Sequence, residues 1–203
     1  MTHIPVQVAE LVGLDYLNEV ARAHYRKTTS KTVVNTVSVT DLLNGEITID
    51  AGAMGSTRAL RISAWGDYKQ NSGATQAYYR FALLFGGTTI FDTGAPAGAL
   101  VNSTTRVPWR LDALLLNTAT NIQTCDFGLR LTGATAFSGS GTFATGEGNY
   151  GPTVANGVFT VGWAYNTAAV DTTVNRALVL NVTLPVASAN TDIVLAGALI
   201  EVV

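Results

Sequence analysis

Only one cysteine, Cys125, occurs among the 203 residues, so no disulfide can form within the chain. A chain of this length buries enough core to hold together without such a staple. Histidine is nearly absent too: His3 and His24 are the only two, both close to the N-terminus. A Ser-His-Asp or Cys-His nucleophile site in the rest of the chain is thereby excluded. There is no HExxH, no GxSxG and no CxxC motif. Charge is scarce. Asp, Glu, Lys and Arg make up 13% of the residues, against about 25% in ordinary soluble domains. The net charge of −2 comes without a basic block, which argues against a nucleic-acid binder held by phosphate contacts. No run approaches the roughly 18 apolar residues of a membrane span, and Ile193 to Val203 is interrupted by Glu201. The opening MTHIPVQVAELVGL has no basic start followed by a long apolar run, so no secretory signal and no membrane insertion are expected.

What is present is alternation. The stretch Arg58 to Asp92, RALRISAWGDYKQNSGATQAYYRFALLFGGTTIFD, reads as three strands and two turns. Leu60, Ile62 and Ala64 fall on one face of the first; Tyr79, Phe81, Leu83 and Phe85 on one face of the second. WGDY reads as the first turn, and Gly86-Gly87 as a two-residue hairpin turn. Asn44-Gly45 reads as another, with Ile47 and Ile49 returning. Val107 to Ala113, Cys125 to Leu131, Phe159 to Tyr165 and Leu178 to Leu184 alternate in the same way. Pro108 in the first of these suggests an edge strand or a bulge. The pattern predicts an all-β chain of 8–10 strands at the spacing of an antiparallel sandwich, a jelly roll or a relative of it. One helix is expected, Val6 to Arg26, where Leu11, Leu14, Leu17 and Val20 recur at helical spacing. The predicted division is an N-terminal helical arm, residues 1–30, and a β-sandwich, residues 31–203, with TTSK at Thr28 to Lys31 as the boundary. The helix either packs on its own sandwich or is an arm that docks on a partner or bundles with copies of itself.

No constellation selects a catalytic chemistry. GEGNYG at Gly146 to Gly151 matches GxGxxG but neither follows a clear strand nor opens a helix. Asp67, Asp92, Asp112, Asp126, Asp171 and Asp192 are scattered, and no spacing singles out a glycosidase pair. A calcium site at Asp171 is unsupported. Cys125 shares a face with Phe127 and Leu129 and reads as core. Neither catalytic, metal nor cofactor residues are therefore expected. Trp65, Tyr68, Tyr78, Trp109, Tyr150 and Tyr165 are the aromatics that could line a sugar-binding surface, with Trp65, Tyr68 and Tyr150 the glycan-facing candidates. The competing explanation is ordinary sheet packing. The last strand is apolar on both faces: Ile193, Leu195 and Leu199 against Val194, Ala196, Ala198 and Ile200. An antiparallel sheet usually keeps one face wet. Either the strand runs through the centre of the core, or its second face is buried against neighbouring copies; the second is favoured, with Ile193, Leu195, Ala198, Leu199 and Ile200 at the interface.

The runs LRISAWGDYKQNSGATQAYYRFALLFGGTTIFDTG and RALVLNVTLPVASANTDIVLAGALIEVV resemble structural proteins of tailed-bacteriophage virions: jelly-roll modules used as capsid decoration, head-fibre or tail-associated proteins. The resemblance covers roughly residues 33 to 203. It implies a non-enzymatic virion protein, assembled in the host cytoplasm, often a homotrimer, docked on major capsid or tail proteins by a short N-terminal anchor. It carries over no catalytic residues. The alternative is a glycan- or receptor-binding β-sandwich module of a tail fibre or spike, with a host-surface glycan as partner.

Overall fold

The computed structural model describes residues 24–73, 79–94, 102–132, 141–142, 147–150 and 158–203. Every regular element among them is a strand. In chain order the first are β1 (His24–Lys27), β2 (Lys31–Val34), β3 (Thr40–Asp41), β4 (Thr48–Ile49) and β5 (Ala59–Gln70). The hairpin β6 (Arg80–Phe85) and β7 (Thr88–Asp92) follows, then the long pair β8 (Val107–Ala119) and β9 (Ile122–Thr132). The chain continues through β10 (Gly141–Thr142), β11 (Glu147–Tyr150) and β12 (Val158–Ala168), and closes with β13 (Arg176–Thr183) and β14 (Thr191–Val202). They form two antiparallel sheets. The larger runs β1-β14-β5-β8-β9-β12-β11-β10, with β2 also on β14; the smaller runs β3-β13-β6-β7, with β4 also on β13.

The two sheets pack face to face as a sandwich. Leu60, Ile62, Ala64 and Tyr68 of β5 and Trp109, Leu111, Ala113 and Leu115 of β8 point inward from the larger sheet, all buried. Phe81, Leu83 and Phe85 of β6 and Leu178, Leu180 and Val182 of β13 meet them from the smaller. Ring pairs bridge the layers: Phe81 with Trp109 and Phe91 with Phe127, each with centroids 5.2 Å apart. The alternation expected for Arg58 to Asp92 is what buries this core, and Gly86 and Gly87 both take positive φ in the β6–β7 turn.

Polar groups buried at one end of the sandwich are satisfied. Gln123, fully buried, donates to Asn117 Oδ1 and the Val170 carbonyl and accepts from the Val170 amide. Asn117 donates on to the Gly55 carbonyl and Thr172 Oγ1. This chain of bonds ties the β8–β9 hairpin to the loops before β5 and β13, a network whose members cost far more alone than together.

Several expectations change. Asn44 and Gly45 do take φ of 60° and 69°, yet β3 and β4 do not pair with each other. Both lie on β13, opposite Val182 and Asn181, then Ala177 and Arg176, as one interrupted edge strand. Asp41 holds the interruption, accepting from the amides of Leu43, Gly45 and Leu180. β1 and β2 form the same device on β14. The boundary expected at Thr28 to Lys31 therefore falls inside an edge strand, and the sandwich already includes His24 to Lys27. Of the helix expected over Val6 to Arg26, His24 to Arg26 are strand, part of β1; the rest, with Leu11, Leu14, Leu17 and Val20, lies outside the described residues. WGDY is not a turn, since β5 runs on to Gln70. Pro108 sits in a central strand, one residue before the β8–β9 ladder begins at Trp109, where no donor is needed on that side.

The largest change concerns β14. Its pairing with β5 shifts between Leu195 and Gly197, so Ala196 is an extra residue. A bulge of one residue exchanges the faces of everything beyond it. Ile193 and Leu195 before the bulge, and Ala198, Ile200 and Val202 after it, all point into the core and are buried. The strand is apolar on one face whose phase slips, not on two. Of the five residues expected between copies, Ile193, Leu195, Ala198 and Ile200 are sealed by the chain's own sandwich, and Leu199 alone is on the outer side.

Candidate functional site

The same bulge organises two tryptophans. Gly66 on β5 is the register partner of Leu195 on one side and Trp109 on the other. A Cβ on Gly66 would lie 1.8 Å from the Val194 carbonyl oxygen. The bare glycine lets that carbonyl approach the buried Trp109, whose indole Nε1–H donates to it at 3.0 Å. One residue earlier, Trp65 points the other way. Its partner on β14 is Gly197, and a Cβ there would lie 2.8 Å from Trp65 Cζ2. The ring is thus seated on a glycine of the neighbouring strand, yet Trp65 is 42% exposed.

Across the sheet from Trp65 stands Arg110, and across from Arg110 stands Arg130. Shallow depressions flank the indole. One, of about 390 Å³, is lined by Arg26, Thr28, Gly197 and Leu199; the other, of about 330 Å³, by Gly66, Pro108, Arg110 and Arg130. Arg110 is fixed by its own strand: Nε and Nη2 donate to Asp112 Oδ2 and Oδ1 at 2.7 and 2.9 Å. Ser63 Oγ donates to the same carboxylate at 2.7 Å. Partial burial alone would raise the Asp112 carboxyl, but the bonds from Arg110 and Ser63 outweigh it and hold the group below the usual carboxylate range. Asp112 in turn raises the Arg110 guanidinium. Arg130 forms no ion pair among the described residues, and the Trp65 indole N–H has no partner among them.

Tyr68 does not join this surface. It is 3% exposed, points into the core against Tyr79 with centroids 5.1 Å apart, and burial drives its phenol pKa upward. Trp109 is likewise internal. Tyr78, and the side chains of Tyr150 and Tyr165, lie outside the described residues. The alternation of each strand already placed Trp65, Arg110 and Arg130 opposite the apolar faces. What it lacked was the register that lines them up, because cross-strand partners dozens of residues apart leave no mark on one another.

The carboxylates are largely spoken for. Asp92 is gripped by Arg80, Nε to Oδ1 at 2.8 Å; Asp67 pairs with Arg106; Asp192 is held by Arg106 and by Lys69 at 3.5 Å; Asp171 accepts from Thr173 and faces Arg176. No group of three or more His, Cys, Asp or Glu among the described residues could hold a metal ion. The Cys125 thiol is buried, and desolvation pushes its pKa up to about 12, so it stays protonated at neutral pH. The chain matches no protein-family model and no curated protein sequence.

Proposed function

We propose that the chain is a non-enzymatic structural protein of a bacteriophage particle, a capsid-decoration or head/tail accessory module that associates with copies of itself, as a trimer, and docks through its N-terminal segment. The observation that carries this is the strand order. Setting aside β9 to β12, the sheets read (β1/β2)-β14-β5-β8 and (β3/β4)-β13-β6-β7. We read that order as a jelly roll, two Greek keys wound into facing four-stranded sheets, an architecture of viral capsid and lectin domains. The strands β9 to β12 are then an insertion that widens the first sheet. The resemblance to virion proteins and the low charge agree with it.

Self-association does not rest on the inward residues of β14. It rests on the outer face of the larger sheet, where Leu114 and Leu116 of β8 and Ile122 of β9 are exposed. A contiguous apolar patch rimmed by polar residues marks an interaction surface. The test is the solution mass of the full chain against Leu116→Glu and Ile122→Glu. Three times the 21.3 kDa of one chain, falling to one in the variants, is expected. A full chain that stays monomeric at every concentration sinks the proposal.

The second reading, a glycan-binding module, is favoured by one observation: Trp65 is a seated, exposed aromatic between two depressions. The two readings occupy different ends of the same sheet face.

A further inference from the structure

The row crossing the outer face of the larger sheet is Gly197, Trp65, Arg110, Arg130, each the register partner of the next. It combines an aromatic plane with two guanidinium groups. Like charges directly opposite one another on paired strands are destabilising. Asp112 relieves only part of this, because both of its oxygens are engaged by Arg110. Among the described residues nothing pairs with Arg130, whose fork of donors has the geometry that grips a carboxylate with two bonds. Trp65 supplies an apolar plane for the C–H face of a sugar ring and an N–H, unpartnered among the described residues, for a hydroxyl. Its seat on Gly197 means little freedom is lost when a ligand binds.

We infer that this row binds an acidic saccharide, a pyranose bearing a carboxylate, with its ring on Trp65 and its carboxylate shared between Arg130 and the outward side of Arg110. Trp65 and Arg130 stand two strand spacings apart, about 10 Å, a gap that a hexose with an exocyclic carboxylate and an arginine side chain closes. The proposal rests on the glycan-binding reading and names its ligand class. A single-stranded nucleic acid, which also uses aromatics and arginines, fits less well. Its phosphates need a basic track several nucleotides long, whereas Asp67, Asp112 and Asp126 interrupt this face.

The test is calorimetric titration of the full chain with tetragalacturonate, its methyl ester, sialyllactose, lactose and a short oligothymidylate. At least one of the two acids is expected to bind, with its neutral counterpart weaker by about tenfold or more, the worth of a charge-assisted pair. Arg130→Gln is expected to lose a similar factor, and Trp65→Ala to abolish binding. Both side chains are exposed, so melting temperature and solution mass stay as in the parent. The inference is overturned if neither acid binds, if each acid binds no better than its neutral counterpart, if the variants bind like the parent, or if the oligothymidylate binds most tightly. Because mass is read on the same samples, failure here leaves the self-association proposal standing, and a monomer that still binds the acid separates the two in the other direction.

Discussion

Trp65 and Trp109 sit on neighbouring strands of one sheet, one row apart, and each leans on a glycine of an adjacent strand. Trp109 faces inward. Its glycine, Gly66, makes room for the Val194 carbonyl that satisfies the buried indole, so the pairing removes a cost that an isolated buried donor would carry. Trp65 faces outward. Its glycine, Gly197, supplies a flat seat, and the indole N–H has no partner among the described residues. The same sequence element, tryptophan opposite glycine, thus holds the fold together on one side of the sheet and offers a surface on the other. The bulge at Ala196 is what allows both, since it aims a carbonyl inward next to a strand segment that carries no side chain outward.

Substitutions at the two glycines separate these roles. Gly66→Ala is expected to be the most damaging single-methyl change in this region. Its Cβ meets backbone that cannot move aside, and the Trp109 bond is lost with it. The combined penalty is about 4 kcal/mol, a fall in melting temperature on the order of 10 °C for a chain of this size. A fall of a degree or two in a thermal melt would show that the bulge yields. Gly197→Ala meets the edge of an exposed ring instead, which can lift away. A cost of about 1 kcal/mol is expected, together with a red-shifted Trp65 fluorescence as the ring enters water. No change in emission would mean that the seat does not hold the ring. The smallest effect concerns Asp112, which fixes Arg110 beside Trp65. Its folded pKa is depressed, so its contribution is present above the unfolded value of about 3.9 and is lost as pH falls through the folded one. Asp112→Asn is expected to melt below the parent at neutral pH by an amount that shrinks towards zero under acid titration. A gap that persists undiminished at the acid end would assign the difference to packing rather than to charge.

Much of the sandwich was legible because alternation is a local property. Phe81, Leu83 and Phe85, or Leu178, Leu180 and Val182, announce an inward face within six residues. The bulge in β14 was not. Adding Ala196 to VLAGALI changes no residue type that periodicity reads, and its physical cause, the bare backbone at Gly66, lies well over a hundred positions earlier. Taken at unbroken period, the strand is apolar on both sides, which is what points to an interface between copies. The broken edges escaped for a related reason. Asn44-Gly45 has the backbone signature of a hairpin, but which strand the flanks choose depends on β13, much later in the chain. At the site, Trp65 was visible as an outward aromatic; Arg110 and Arg130 were equally outward, and only the register joins them. Tyr68 was misplaced because β5 continues through WGDY, carrying it inward.

The two broken strands have a consequence for how molecules of this kind meet. An uninterrupted border would invite a neighbour's strand to zip on, and then another, without limit. Here β1/β2 and β3/β4 each offer at most four consecutive residues before the line is cut. On the opposite border of the smaller sheet, Asn166 caps the Ile90 carbonyl on β7 at 3.0 Å. Lateral growth into ribbons is discouraged at these three borders.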